Sequence, residues 1–209
     1  GFGGYRGTGA DVTSAVTAEA ASAHLARFDP MTDLPNRLQL RDLVDQAASH
    51  ARHRGRPAAL LCIDLDRFRE INDTLGHAAG DRALIVVVVV VRGILPPKAL
   101  FARLGGEEFI AILPGRDREQ AQDIAEDLRA GVAASGFLHA GKHPVNVTIS
   151  LGVAARDESA DFQVLVNRAD EALYVAKHSG RNRVVLASST AERLSEGKVA
   201  VGSRHTTRA

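Results

Sequence analysis

Residues 100–113 read LFARLGGEEFIAIL, two short apolar runs joined by two glycines and two acids. Apolar runs joined by glycines are typical of a β-hairpin. Adjacent glycines let the backbone come close to a bulky ligand, whereas adjacent acids at a turn are costly unless a positive group offsets them. The stretch therefore predicts a hairpin that presents carboxylates to a metal ion and bare backbone to a nucleotide.

A further carboxylate stands at the end of another apolar run, Ala58–Leu65, whose near-continuous hydrophobicity suits a central strand buried on both faces. If that strand neighbours the hairpin, Asp64 and Glu107 meet at one edge of the sheet. Their oxygens suit Mg²⁺, which takes one or two carboxylates and completes its octahedron with water and phosphate oxygens. Taken singly, each acid is more simply a solvated residue at a strand end.

A compact polar module contains Asn72, Asp73, Gly76-His77 and Gly80-Asp81. Amide and carboxylate side chains can read a guanine edge, because a carboxylate accepts hydrogen bonds from N1–H and N2–H. A turn-rich loop is an equal alternative, in which Asp81 is the N-cap of the helix that follows.

Two cations four residues apart, Lys177 and Arg181, stand at the end of a predicted helix. They suit a triphosphate, since arginine binds phosphate oxygens in bidentate geometry. Arg69 is a further phosphate candidate for the same reason. The alternative is that the pair only complements the partial negative charge of the helix C-terminus.

The composition limits the function classes. The chain has 209 residues, 45% of them hydrophobic, and a formal net charge of +1, so no broad basic surface points to nucleic acid. Cys62, the single cysteine, excludes an internal disulfide and fits a reducing, cytoplasmic location. No membrane segment or signal peptide is predicted, because the most apolar stretch, Leu84–Val91, is too short to span a bilayer.

The remaining pattern predicts an α+β domain, one sheet with helices packed on it. Helices are predicted from Arg37, at Asp117–Ala134 and at Asp161–His178, and a half-buried strand at Val145–Ala155. In the first helix Leu38 is expected on the apolar face, and in the last Val164. A final strand is expected near residues 183–187.

Residues 83–95 fit two interpretations. The six valines Val86–Val91 have the propensity of a strand. The length of the segment and its stop at Pro96-Pro97 favour a helix instead, since burial in the core can override propensity. We favour a buried helix here.

At this point the ordered motifs resemble the GGDEF domain of diguanylate cyclases, in its Gly-Gly-Glu-Glu-Phe form, over roughly residues 28–186. The blocks that carry the resemblance are DPMTDLPNR (29–37), DLDRFREIND (64–73), Gly76-His77, Gly80-Asp81, RLGGEEF (103–109), TISLGV (148–153), ADEALY (169–174), Ala176-Lys177 and GRNR (180–183). So many blocks in one order make chance agreement negligible.

The resemblance implies a palm-like fold, similar to nucleotide cyclases, with a central five-stranded, mostly antiparallel sheet flanked by helices. It implies a diguanylate cyclase, in which two GTP condense to cyclic di-GMP and two pyrophosphates are released, as part of bacterial second-messenger signalling. Because each domain holds one GTP, the resemblance implies a homodimer for turnover.

Site residues follow from the resemblance by position. The metal, Mg²⁺ with Mn²⁺ as the alternative, is expected at Asp64, the Leu65 carbonyl and Glu107. Glu107 or Glu108 is expected to help deprotonate the attacking 3′-hydroxyl. The expected GTP contacts are Asn72 and Asp81 for guanine, the backbone near Arg67 and Phe68 with Arg69, Lys177 and Arg181 for phosphates, and Gly105 and Gly106 along the nucleotide.

The resemblance also predicts the organisation of the chain. Residues 1–13 resemble the end of a PAS-like sensor domain upstream, and residues 14–27 are expected to be a helical connector. Residues 28–187 are expected to form the GGDEF domain, and residues 188–209 a disordered tail. The chain is expected to be part of a longer protein.

Two other functions stay open. A catalytically inactive GGDEF module could bind GTP or a partner protein as a sensor, although such modules usually lose the signature acids, and Asp64, Glu107 and Glu108 are present here. A palm-type cyclase for ATP or for a mixed dinucleotide is the third interpretation, which Asn72 and Asp81 make less favoured.

Overall fold

A computed structural model of the protein describes residues 22–51, 58–139, 143–156 and 162–188. Residues 22–27 are helical. The elements that follow are α1 (Arg37–Ala51), β1 (Ala58–Leu65), α2 (Phe68–Leu75), α3 (His77–Ile94), β2 (Leu100–Gly105), β3 (Glu108–Pro114), α4 (Arg118–Ser135), β4 (Phe137–His139), β5 (His143–Val145), β6 (Ile149–Ala155), α5 (Phe162–His178) and β7 (Val184–Leu186). The predicted sensor remnant, most of the connector and nearly all of the tail lie outside the described residues.

Five strands form one mixed sheet in the order β2-β3-β1-β6-β7. β1 pairs antiparallel with β3 and β6, β2 pairs antiparallel with β3, and β6 pairs parallel with β7. The predicted α+β fold with a mostly antiparallel five-stranded sheet is confirmed. In this register Asp64 stands opposite Glu108 on one side and Ser150 on the other, so the end of β1 meets the hairpin turn at one edge.

Helices cover both faces of the sheet. One face packs against α3 and α4, and its core includes Leu61, Ile63, Val87, Phe109 and Leu128. The other packs against α1 and α5, and its core includes Leu40, Leu60, Cys62, Ile110 and Leu173. We refer to these as the α3/α4 face and the α1/α5 face. Alternate residues of β1 point to opposite faces, which explains its unbroken apolar sequence.

The valine-rich segment is a helix, as favoured from its length and its stop. Val87, Val88 and Val91 are buried in the core, whereas Val89 is 65% exposed. This helix, α3, begins at His77, six residues before the predicted start at Ala83. Burial of one side overrides the strand propensity of valine.

Several predicted details are wrong. The expected strand Val145–Ala155 is split, because β5 ends at Val145 and β6 begins at Ile149. β6 is buried on both sides rather than half-buried, since it lies inside the sheet with helices on both faces. Leu38 and Val164 are exposed. The short helix α2 and the separate β4-β5 pair were not predicted.

Helix α5 approaches the sheet closely at one glycine. A Cβ added to Gly152 of β6 would lie 2.0 Å from the Ala169 carbonyl oxygen and 2.3 Å from the Leu173 nitrogen. Only glycine therefore allows this backbone-to-backbone packing. The packing sets the distance from α5 to the end of β1.

Among the described residues, no helix is both long and apolar enough to cross a membrane.

Candidate active site

Asp64 lies at the end of β1 on the α1/α5 face, and only 4% of its side chain is exposed. Lys177, in the last turn of α5, places its Nζ 2.6 Å from Asp64 Oδ2 and forms an ion pair with it. Lys177 is thus the partner of this buried oxygen, and no other hydrogen-bond donor to Oδ2 is present within the described ranges. A buried charged oxygen of this kind is costly.

The charge at this edge is mainly negative. Burial raises the pKa of Asp64 to about 6, while Lys177 opposes the rise and the nearby charges of Glu107 and Glu108 add to it. One ammonium group therefore does not neutralise the carboxylates around it. A divalent cation would remove the repulsion among them.

The hairpin turn brings Glu107 and Glu108 to the same edge. Gly105 and Gly106 have φ of 144° and 52°, which glycine adopts without strain. A Cβ added at either would meet nothing within 4 Å, so this side of the turn is open. The Leu65 N–H donates to the Glu107 carbonyl at 3.2 Å, which joins the turn to the end of β1.

The donor set at this edge fits a hard cation. In the part of the chain that the structure describes, no three His, Cys, Asp or Glu side chains are grouped to hold a metal ion. The predicted ligands are two carboxylates, Asp64 and Glu107, and the Leu65 carbonyl, a set that leaves positions for water and phosphate as Mg²⁺ prefers. The buried Oδ2 of Asp64, which within the described residues has Lys177 as its partner, supports the fit.

The turn from β1 into α2 contains one left-handed residue, Arg67. Arg67 has φ 56° and ψ 28°, a left-handed conformation that is costly for a residue with a side chain. Such turns aim successive backbone N–H groups at one point. Phe68, which begins α2, packs partly against the core. The Arg69 side chain is 92% exposed and lies 3.6 Å from Asp73.

The two predicted guanine-reading residues come from neighbouring helices. A Cβ added to Gly80 of α3 would lie 2.0 Å from Asn72 Oδ1 of α2, so Gly80 makes room for the Asn72 amide. Asp81, the next residue of α3, is exposed. It is not a helix N-cap, because α3 begins at His77 after Gly76. The alternative of a turn-rich loop is therefore wrong.

Lys177 and Arg181, the two cations predicted at the end of α5, differ in their contacts. Lys177 contacts Asp64, as described. Arg181 follows the helix, is exposed, and has φ 62°. Its N–H donates to the Ala176 carbonyl at 3.0 Å, so the residue stays tied to the end of the helix.

Sequence reasoning assigned no role to Arg103, which holds the hairpin turn. Its Nε and Nη2 donate to the Gly106 carbonyl at 3.0 and 2.7 Å, and its Nη1 to Asp29 Oδ1 at 2.9 Å. Although burial opposes it, hydrogen bonds from Thr32 and Arg103 hold the pKa of Asp29 below its usual value. A lone charge inside the apolar run Leu100–Leu104 was the signal available.

Asp66 was also unassigned. It is buried and accepts hydrogen bonds from Thr148 Oγ1 at 2.8 Å and Ser150 Oγ at 2.7 Å. Its spacing of two residues from Asp64 was the available signal, since alternate strand residues share a face.

The model of the protein family described as "Diguanylate cyclase, GGDEF domain" matches residues 26–183 of the chain. The chain is similar to the diguanylate cyclase DgcP of Pseudomonas aeruginosa strain PAO1, with 37% identity over 176 residues, which are 81% of this chain and 26% of that protein. It is also similar to the response regulator PleD of Caulobacter vibrioides strain NA1000 / CB15N, with 41% identity over 166 residues, 78% of this chain and 37% of that protein. The chain thus spans about a quarter to two-fifths of the length of these relatives.

Among solved structures, the fold is similar to the coiled coil and GGDEF domain of DgcB from Caulobacter crescentus in complex with c-di-GMP. The TM-score is 0.74 at 31% identity, and the match covers 84% of this chain and 96% of that one.

Proposed function

Because the chain belongs to the GGDEF family of diguanylate cyclases, we propose that it condenses two GTP into cyclic di-GMP and releases two pyrophosphates. The observation that carries the proposal is the edge at Asp64. The buried Asp64 carboxylate is paired there with Lys177 and lies near the charges of two further carboxylates, Glu107 and Glu108.

The roles of the residues follow from their chemistry. Asp64, Glu107 and the Leu65 carbonyl would hold Mg²⁺ or Mn²⁺, which supplies neutralisation of phosphate charge when bound. Lys177 and Arg181 would hold the phosphates, together with Arg69 and the backbone N–H groups at Arg67 and Phe68. These groups orient the chain of phosphates for in-line attack.

Guanine would be read at the α2–α3 junction. Asn72 and Asp81 offer an amide and a carboxylate there, and the carboxylate suits the N1–H and N2–H donors of guanine. Gly105 and Gly106 leave open backbone along which the nucleotide would lie.

In the reaction, the 3′-hydroxyl of one GTP attacks the α-phosphorus of the other, and the bond from that phosphorus to the oxygen that bridges the α- and β-phosphates breaks, so that pyrophosphate leaves. Glu107 or Glu108 would accept the hydroxyl proton. Glu108 is exposed and Glu107 is half-buried, so both are accessible to a second nucleotide. One domain holds one GTP, so two domains must face each other, and the attack occurs twice to close the ring.

The proposal extends to the organisation of the chain. Residues 28–187 would be the catalytic domain, and residues 14–27 a connector from a PAS-like sensor of which residues 1–13 are the end. Residues 188–209 would be a disordered tail. The whole would act in the cytoplasm, where GTP is available.

The decisive experiment incubates the protein with GTP and Mg²⁺ at several protein concentrations and separates the nucleotides by chromatography. We expect cyclic di-GMP to form at a rate that rises faster than linearly with protein. Asp64→Asn and Glu107→Gln should each lower the rate more than about a hundredfold, because several kcal/mol of charge stabilisation is lost. Asp123→Asn, on the exposed side of α4, is the matched control and should leave the rate unchanged.

The alternative functions give different results. GTP binding without product, even after a fused coiled coil forces dimerisation, would indicate an inactive module that binds GTP or a partner. Product from ATP in place of GTP would contradict the guanine assignment of Asn72 and Asp81.

A further inference from the structure

The loop after α5 is held in an unfavourable backbone conformation. Arg181 and Asn182 are consecutive residues with φ of 62° and 45°, and neither is a glycine. Left-handed conformations are unfavourable for residues with side chains and persist only where the surroundings impose them. Some set of contacts must therefore fix this loop.

The first contact comes from the sheet. The Asn182 N–H donates to Asp66 Oδ2 at 2.9 Å. Asp66 is itself buried and bound by Thr148 and Ser150. A carboxylate held by two hydroxyls cannot turn away, so it fixes the position of the Asn182 backbone.

The second contact comes from α4. Arg129 Nη1 donates to Asn182 Oδ1 at 3.1 Å. The same guanidinium is oriented by Glu126, whose Oε2 accepts from Arg129 Nε at 2.6 Å. Only 26% of the Arg129 side chain is exposed, so part of it is shielded from water. The side chain of Asn182 is thereby held by α4, while its backbone is held by Asp66.

We propose that Asp66 and Arg129 clamp Asn182 and thereby position Arg181 for the phosphates of GTP. The inference rests on the proposed function, because it takes Arg181 as a phosphate ligand. Asp66, Arg129 and Asn182 are positioning residues and need not touch the nucleotide. Their effect passes through the peptide that joins Asn182 to Arg181. The N–H of Arg181 in turn donates to the carbonyl of Ala176, the residue before Lys177.

The test is a double-mutant cycle on GTP binding, measured by calorimetry with Mg²⁺ present. Arg129→Ala keeps a good helix former in α4, so the helix should stay folded. It should weaken GTP binding about tenfold, the loss expected when one charge-assisted contact is misplaced. In an Arg181→Ala background the same change should weaken binding less than about twofold, because the residue that it positions is already gone.

Guanosine, which lacks phosphates, distinguishes positioning from general damage. Arg129→Ala should leave guanosine binding unchanged if the clamp acts on phosphate contacts. Arg41→Ala, at an exposed site of α1, is the control and should alter neither ligand. Equal losses for GTP and guanosine, or additive losses in the cycle, would overturn the proposal.

Amide exchange of Asn182 without nucleotide separates this inference from the proposed function. Its N–H should exchange faster in Arg129→Ala than in the parent, beyond any change in global stability. Equal exchange would overturn the clamp. A parent chain that binds no GTP would instead overturn the proposed function, and the exchange result would still decide whether the clamp exists.

Discussion

The two faces of the sheet differ in what they bury. On the α3/α4 face, β1 contributes Leu61, Ile63 and Leu65 to an apolar core along its whole length. On the α1/α5 face it begins with Leu60 and Cys62 and ends with Asp64. On the α3/α4 face β1 thus buries only apolar side chains, whereas on the α1/α5 face it ends in a buried charge at the edge of the sheet.

Cys62 shows how sharply the α1/α5 face changes from apolar to charged side chains along β1. Burial raises the pKa of the Cys62 thiol to about 12, and the charges of Asp170 and Glu108 add to the rise. Cys62 is therefore an inert core residue, although it lies two residues from Asp64. Proteins commonly accept reduced stability at an active site in this way.

The largest effect on the α1/α5 face should come from Gly152→Ala. The added methyl would overlap the backbone of Ala169 and Leu173, and backbone cannot give way unless α5 moves off the sheet. We expect a loss of about 3 kcal/mol or more in unfolding free energy, as for severe overpacking. Urea denaturation followed by circular dichroism measures it.

Gly93→Ala is the matched control for that change. Gly93 lies in α3, and a Cβ there would meet nothing within 4 Å. Alanine at an open helix position should leave stability unchanged or raise it by up to about 1 kcal/mol. If Gly152→Ala and Gly93→Ala have the same free energy of unfolding, the close approach of α5 to β6 does not limit the stability of the fold.

The next effect concerns the buried charge of Asp64 and depends on pH. Its pKa in the folded protein, about 6, lies above the ordinary value of 3.8. The folded state therefore binds the proton more tightly than the unfolded state does. Ionisation of Asp64 lowers the free energy of unfolding by its full amount above pH 6 and not at all below pH 3.8. The difference corresponds to about 3 kcal/mol.

Asp64→Asn removes that cost and tests the comparison of the faces directly. In chelator-treated protein at pH 7, the variant should be more stable than the parent by up to about 3 kcal/mol, and the gain should shrink as the pH falls from 6 to 4. Urea denaturation at several pH values measures this. A variant that is less stable at pH 7 would show that the Asp64–Lys177 pair stabilises the fold.

The apolar core on the α3/α4 face should respond only in stability. Val87→Ala removes buried methyl groups from a fully enclosed position and should cost about 2 kcal/mol. Val89→Ala, two residues along and 65% exposed, should be neutral or slightly stabilising. GTP binding by the folded fraction should not change in either. A changed affinity in Val87→Ala would contradict the separation of the faces.

The same division explains what the sequence could predict. Periodicity and turn residues identified β1, the hairpin and α5, because burial imposes those patterns locally. The start of α3 was misplaced by six residues, since Gly76 and Gly80 suggested a loop, whereas Gly80 is a helical residue that makes room for Asn72. The roles of Arg103 and Asp66 depend on partners distant in sequence, such as Asp29 and Asn182. No local pattern records such pairings.

The smallest expected effect concerns the strained backbone at the β1–α2 turn, next to the edge of the sheet where Asp64 lies. Arg67 at the β1–α2 turn and Asp33 in the turn before α1 have nearly equal left-handed φ, 56° and 52°. Glycine at either position should relieve strain and raise the unfolding free energy by up to about 1 kcal/mol. The two substitutions should therefore be alike in urea denaturation. They should differ in calorimetry with GTP and Mg²⁺, because only Arg67→Gly loosens the backbone N–H groups proposed to face the phosphates. Equal affinity in the two variants would mean that the strain at Arg67 is unrelated to phosphate binding.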